Sequence, residues 1–81
     1  SRREGKCSLL FTLDHRPGSL AEILTWLAQH GLNLTQIVSR PIKEKPFEYL
    51  FFVDILFAPD VDFEIVFNGL KQKTNKLNLL G

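Results

Sequence analysis

The sequence is poor in residues that build covalent or metal cross-links. Of its 81 residues only Cys7 is a cysteine, which excludes an internal disulfide and a cysteine-based metal site. A lone thiol suits a reducing compartment such as the cytoplasm, and we expect Cys7 to be an inert part of the core. The apolar run from Tyr49 to Val53 ends at Asp54 and is too short to cross a bilayer. We therefore expect no membrane partner, no metal and no cofactor.

Excess charge and methionine are absent as well. The net charge of +1 provides no field that would attract nucleic acid or an anionic membrane. There is no methionine, and residues 1–6 are typical of a linker, so we expect a piece of a larger protein with one domain over residues 7–81. A chain of 81 residues is near the lower limit for an independent core, which favours help from a partner surface.

The first half of the chain predicts a strand, a turn and a helix. Residues Cys7–Leu13 alternate between apolar and polar, as in a half-buried strand. Pro17-Gly18 is typical of a turn. Ser19 is the predicted N-cap of the following helix, Glu22 completes a capping box, and Gly31 ends the helix. The apolar stripe of that helix is Leu20, Ile23, Leu24, Leu27 and Ala28.

The second half predicts two strands, a helix and a last short strand. In Leu32–Pro41 the alternation slips between Ile37 and Val38, which indicates a bulge or a two-sided contact. Phe47–Leu56 reads as a central strand buried on much of both faces. Asp60 is the predicted cap of a second helix, and Leu77–Leu80 form the last strand. The apolar stripe of the second helix is Phe63, Val66, Phe67 and Leu70.

The order βαββαβ predicts an α+β, ferredoxin-like fold. In this fold a four-stranded antiparallel sheet carries two helices on one face. The fold hosts many functions, so function has to be inferred from a site.

Polar groups gather in two places that are candidates for a binding site. The first helical turn offers the amides of Gly18, Ser19 and Leu20, which are expected to be unpaired and able to receive a carboxylate. Asn33 opens the second strand with both a donor and an acceptor. Together the two segments have the groups needed to hold the carboxylate and the ammonium of a free amino acid. Without Asn33, a plain turn and a helix cap would be the better explanation of the glycine segment.

Several segments of the sequence resemble one known family, the ACT domains. They are Pro17-Gly18-Ser19-Leu20, Gly31-Leu32-Asn33-Leu34-Thr35, Ser39-Arg40-Pro41 and the run Glu48-Tyr49-Leu50-Phe51-Phe52-Val53-Asp54. The resemblance is strongest to the C-terminal ACT domains of prephenate dehydratases and of bifunctional chorismate mutase/prephenate dehydratases. Regulatory domains of aromatic amino acid hydroxylases are similar, and they are the alternative parent.

The resemblance implies a regulatory domain without catalytic residues that senses L-phenylalanine. It implies a homodimer of side-by-side sheets with ligand in the seam, and feedback inhibition of a prephenate dehydratase catalytic domain in the same parent chain. The ligand residues carried over are Gly18, Ser19 and Leu20 of one chain and Asn33, Leu34, Gln36 and Ile37 of its partner, with Ser39, Arg40 and Pro41 as motif and interface residues. Two positions depart from the family pattern: Ser19 replaces the usual alanine, and Val38 replaces the usual glutamate.

Two other functions share the predicted topology. An RNA-binding domain would use aromatic residues on the open face of the first and third strands, but the first strand offers only Ser8, Leu10 and Thr12 there. An acylphosphatase-like enzyme would use Arg16 and Asn33, but Pro17 removes one amide that a phosphate needs. The sequence therefore favours an amino-acid-binding module over a nucleic-acid binder or an enzyme.

Overall fold

The computed structural model of the protein describes residues 5–81. Its elements are β1 (Gly5–Asp14), α1 (Ser19–Gln29), β2 (Leu32–Ile42), β3 (Lys45–Phe57), α2 (Phe63–Lys73) and β4 (Lys76–Leu79). The predicted order βαββαβ is confirmed. The first strand begins two residues earlier than predicted, so Gly5 and Lys6 belong to the sheet, while residues 1–4 of the predicted linker lie outside the described residues.

The four strands form one antiparallel sheet in the order β2-β3-β1-β4. This confirms the ferredoxin-like fold and the central position of the third strand. The prediction that this strand is buried on both faces is wrong. Phe51, Val53 and Ile55 face the core and are buried, whereas Leu50 and Phe52 on the other face stay partly exposed. Both helices cover the same face, so the second face has no layer above it within residues 5–81.

The core lies between the sheet and the two helices. Strand β1 contributes the alternating residues Cys7, Leu9, Phe11 and Leu13, as predicted, and the helices contribute Ile23, Leu27, Val66 and Leu70. Removing this apolar surface from water is the main stabilising term, and the helical stripes are spaced to supply it. Within residues 5–81, neither helix is long and apolar enough to cross a membrane.

Both helices begin differently from the prediction. Gly18 occupies the N-cap of α1 with φ 83°, and no side chain caps this helix. Glycine has no side chain that could act as a cap, and because Gly18 occupies the N-cap, Ser19 becomes the first helical residue. Its hydroxyl donates to the carbonyl of Asp14 at 3.0 Å instead. In α2 the cap is Asp62, not Asp60, and its carboxylate accepts from the amides of Glu64 and Ile65.

The second strand contains a bulge, one of the two predicted alternatives, but the bulge lies nearer the start of the strand than the slip at Ile37 and Val38. The register between β2 and β3 shifts between Leu34 and Gln36, which leaves Thr35 as the additional residue. As a result Ile37 lies opposite Val53 and faces the helices, and Val38 lies opposite Phe52 on the open face. The strand also runs one residue beyond Pro41, to Ile42.

Candidate ligand-binding site

A hollow of about 300 Å³ lies where the β1–α1 turn meets the ends of β2 and β3. This volume is at the lower end of the range for sites that bind small molecules. Its lining combines a polar turn with aromatic side chains from the sheet, and consists of Asp14, His15, Arg16, Gly18, Ser19, Leu20, Ala21, Ser39, Tyr49 and Phe51. The three predicted glycine-turn residues are therefore together in one cavity.

The glycine turn presents free main-chain donors at the start of α1. The amide of Ser19 donates to the carbonyl of Arg16 at 3.2 Å, so it is not free as predicted. Within residues 5–81, the amides of Leu20 and Ala21 donate to no main-chain carbonyl. They lie at the positive end of an 11-residue helix, which favours a bound anion. A carboxylate is thus best received one residue further into the helix than the sequence indicated.

Gly18 leaves the mouth of the hollow open. With φ 83° its backbone is in the left-handed region, and a Cβ placed on it would meet no heavy atom within 4 Å. The helix end therefore stays accessible to a molecule that approaches from outside. The hydroxyl of Ser19, where the family usually has alanine, is engaged with Asp14.

A row of aromatic rings leads from the core to the hollow. The ring centroids are 5.5 Å apart for Phe11 and Phe51, 6.4 Å for Phe51 and Tyr49, and 4.7 Å for Tyr49 and His15. His15, Tyr49 and Phe51 were not predicted to belong to the site. The signal that would have found them is the pairing register, because Tyr49 lies opposite Leu13, just before the glycine turn.

The β1–α1 turn is held by hydrogen bonds and one loose ion pair. Arg16 Nη2 lies 3.9 Å from Glu22 Oε1, and both side chains are more than half exposed, so this contact adds little. On the other side, Asn75 Nδ2 donates to Asp14 Oδ1 at 2.9 Å and to Glu48 Oε2 at 3.1 Å. The hydrogen bond from Asn75 is the main cause that holds the pKa of Glu48 below its ordinary value.

The predicted site residues of β2 are spread along the strand. Ser39 lines the hollow, and Pro41 lies opposite Tyr49 at the same end of the sheet. Asn33 and Leu34 lie opposite Leu56 and Ile55, at the other end. The structure therefore does not bring Asn33 to Gly18 within one chain.

The remaining predicted residues lie on or near the open face. Gln36 and Arg40 line a depression there together with Val38, which stands where the family usually has glutamate. Ile37 faces the helices and is 39% exposed. Nearly all of β2 from Thr35 to Pro41 is exposed, and within residues 5–81 this strand pairs only with β3.

A second depression, of about 610 Å³, lies on the open face around Ser8 and Asp54. The Ser8 hydroxyl donates to Asp54 Oδ1 at 2.6 Å, so the carboxylate already has a partner. The smaller hollow is the better candidate, because it has the amides of Leu20 and Ala21 at a helix N-terminus. Among residues 5–81, no group of three His, Cys, Asp or Glu side chains is placed to hold a metal ion.

The fold and the hollow define a ferredoxin-like domain with a ligand-sized cavity at its glycine turn and an exposed edge strand. The model of one family, the ACT domain, matches residues 8–62. The chain belongs to the ACT domain family and is accordingly a regulatory domain.

The relatives that match include prephenate dehydratases. The bifunctional chorismate mutase/prephenate dehydratase of Aquifex aeolicus is 42% identical over 94% of this chain, which spans only 21% of that relative. The prephenate dehydratase of Staphylococcus aureus superposes with a TM-score of 0.74 at 30% identity, over 99% of this chain and 30% of that one. The quorum quenching acylase GqqA superposes with a TM-score of 0.82 at 25% identity, over 94% of this chain and 40% of that one.

Proposed function

We propose that the chain binds L-phenylalanine between two copies of itself and thereby regulates an attached prephenate dehydratase. One observation carries the proposal. The hollow at Gly18 and the polar start of β2 at Asn33 lie at opposite ends of the same exposed edge region. In a two-fold pairing, β2 of one copy runs antiparallel to β2 of a second copy. The Asn33 end of one strand then lies near the hollow at Gly18 of the other copy.

The pairing can be described from the positions along β2. β2 runs from Leu32 to Ile42, so Ile37 is its middle residue. A two-fold axis at Ile37 places Asn33 of one copy across from Pro41 of the other, and Thr35 across from Ser39. Because Ser39 lines the hollow, the start of one β2 then borders the cavity of the other chain. The exposed apolar surface of Ile37 would be covered in the same step.

The paired site has a place for each part of an aromatic amino acid. The carboxylate is received by the free amides of Leu20 and Ala21 at the helix N-terminus. The ammonium is received by oxygen atoms of Asn33 from the second copy, which can supply its side-chain and main-chain carbonyls. The ring packs against the aromatic row that ends at Tyr49 and His15.

The parent enzyme is inferred from the relatives. Two of those compared carry prephenate dehydratase in their names and are 42% and 30% identical to this chain, against 25% for the acylase. Ligand in the seam would stabilise one arrangement of paired domains and bias the attached catalytic domain accordingly. The difference in affinity between the two arrangements sets the extent of inhibition. A cytoplasmic location fits a biosynthetic parent and the free thiol of Cys7.

Calorimetric titration of the chain with amino acids tests the proposal. We expect phenylalanine to bind more tightly than alanine, because only phenylalanine fills the aromatic part of the hollow. Gly18→Val should abolish binding, because its branched side chain projects over the free helix end. Equal binding of all amino acids, or no binding by a chain that is demonstrably dimeric, would refute the proposal.

A further inference from the structure

A side chain from the turn between α2 and β4 lies beneath the glycine turn. Asn75 Nδ2 donates to both Asp14 Oδ1 and Glu48 Oε2, at 2.9 and 3.1 Å, and its main-chain amide donates to the carbonyl of Thr12 at 2.9 Å. An amide nitrogen carries two hydrogens, so Asn75 supplies one to each carboxylate at the same time. It therefore links the last connection of the chain to the first turn.

The two carboxylates need such a bridge. Asp14 and Glu48 are directly opposite each other in the pairing of β1 with β3, and like charges in this position repel. Lys45 Nζ lies 3.8 Å from Glu48 Oε1, and Lys76 begins β4. The two strands that flank β1, which are β3 and β4, thus each carry a lysine near the two carboxylates. Among residues 5–81, Asn75 is the side chain that hydrogen-bonds to both carboxylates.

Asp14 transmits this restraint to the hollow. Its carbonyl accepts the hydroxyl of Ser19 at 3.0 Å and the amide of Arg16 at 2.9 Å. The residue is thus fixed at its carboxylate by Asn75 and in turn fixes two residues that line the cavity. A change in Asn75 reaches the start of α1 through one intermediate residue.

We propose that Asn75 is a positioning residue for the amino-acid site. By bridging Asp14 and Glu48 it holds the β1–α1 turn in the shape that presents the amides of Leu20 and Ala21 to a carboxylate. The inference rests on the proposed function, since the ligand is the amino acid proposed above. Asn75 would thus belong to the proposed site although it contacts neither the ligand nor the seam.

A double-mutant cycle measured by calorimetry with L-phenylalanine tests the role. Asn75→Ala should weaken binding about tenfold near neutral pH, as expected when a bridge to two charged groups is lost. Glu48→Gln alone should change affinity little, and in the Asn75→Ala background it should restore most of the loss, because it removes one of two repelling charges. Asn78→Ala is the matched control. Asn78 lies on β4, and its side chain forms no hydrogen bond within residues 5–81.

The pH dependence of phenylalanine binding by Asn75→Ala separates a positioning role of Asn75 from a general structural effect. The charged groups around the bridge are Asp14 on β1, Glu48 and Lys45 on β3, and Lys76 on β4. The hydrogen bond from Asn75 is the largest cause that lowers the pKa of Glu48, so its loss raises that pKa, and protonation of Glu48 then removes the repulsion. The binding defect of Asn75→Ala should therefore shrink as the pH falls. The pH profile of the wild-type chain is the reference for this comparison.

The outcomes distinguish this inference from the proposed function. A wild-type chain that binds no aromatic amino acid overturns both. A wild-type chain that binds phenylalanine, with Asn75→Ala binding equally well or with a defect that neither pH nor Glu48→Gln reduces, overturns the inference alone. If Asn75→Ala loses its cooperative thermal transition, Glu48→Gln is compared with the double variant. The inference then requires that the affinities of Glu48→Gln and of the double variant for phenylalanine lie within about threefold of each other. A larger loss in the double variant contradicts it.

Discussion

Replacing Gly18 by alanine separates the two roles assigned to this position, backbone conformation and access to the helix end. An L-residue at φ 83° costs about 1–2 kcal/mol, and the smaller entropy of the unfolded alanine chain offsets about 0.4–1 kcal/mol of this. The net loss of stability is about 1 kcal/mol, which corresponds to a decrease in Tm of roughly 4–8 °C for a domain of this size. The added methyl group meets no heavy atom within 4 Å, so no further steric cost arises inside the chain.

Gly31 provides the matched control for this substitution. Its φ of 82° is almost the same, and a Cβ there would come 3.3 Å from Val61 Cγ2, a tight contact at the other end of α1. Leu32 follows it, buried and paired with Phe57, which keeps the start of β2 in place. Both variants should therefore lose similar stability in urea or thermal unfolding.

Only Gly18→Ala should also weaken phenylalanine binding, by about tenfold in a calorimetric titration, because its methyl group takes up part of the open space through which a ligand approaches the helix end. Equal weakening in both variants would mean that stability alone explains the effect. Unchanged binding by Gly18→Ala would mean that no ligand approaches this turn.

Three further predictions concern stability and reactivity. Asp62→Ala should cost about 1 kcal/mol in urea unfolding through loss of the α2 cap, whereas Asp60→Ala should be close to neutral; the reverse result would place the cap at Asp60. Because the folded-state pKa of Glu48 is lowered, its stabilising contribution is present above the unfolded pKa and is lost as the pH falls through the folded value. Glu48→Gln should therefore flatten the Tm profile below about pH 5, and an unchanged slope would contradict this. Burial, followed by the charge of Asp54, raises the pKa of the Cys7 thiol, so a thiol reagent at neutral pH should react with it only after unfolding; rapid labelling of the folded chain would show that it is accessible.

The order of the elements could be predicted because hydrophobic spacing reports burial on one face. The alternation in β1 matches the buried residues, and so do Ile23 and Leu27 in α1 and Val66 and Leu70 in α2, whereas Ala28 of the predicted stripe is exposed. A bulge was one of two explanations for the slip at Ile37 and Val38, but the structure places it at Thr35, because the register shifts between Leu34 and Gln36. The helical stripes and the strand alternation involve residues close together in the chain. A sequence pattern can therefore show them directly.

The two wrong predictions of helix caps have local causes. Ser19 and Asp60 both belong to the residue types that cap helices, but a cap also requires the right backbone angle, and the left-handed Gly18 displaced the first of them. Asp62, two residues further on, has the extended backbone that a cap needs. Cap identity thus depends on φ and ψ at single residues, which a pattern of residue types leaves undetermined.

Long-range contacts at the site were beyond sequence reasoning. Asn75 is 61 residues from Asp14 and 27 from Glu48, and only the register of three strands brings them together. The same holds for Tyr49 beneath the glycine turn. The binding roles of Gly18, Ser19, Leu20, Asn33, Leu34, Gln36 and Ile37 stay predictions, as do the seam roles of Ser39, Arg40 and Pro41.

The central claim is that each ligand site is shared by two chains, and mixing two defective variants tests it most directly. Gly18→Val damages the turn, and Asn33→Ala damages the start of β2, so neither variant alone should bind phenylalanine. In a mixed dimer one site carries both defects, while the other combines the intact turn of one chain with the intact Asn33 of its partner. After unfolding and refolding an equal mixture, half of the dimers are mixed, and calorimetry should show about one site per four chains. No recovery of binding in the mixture, with mixed dimers confirmed by mass spectrometry, would contradict the shared site.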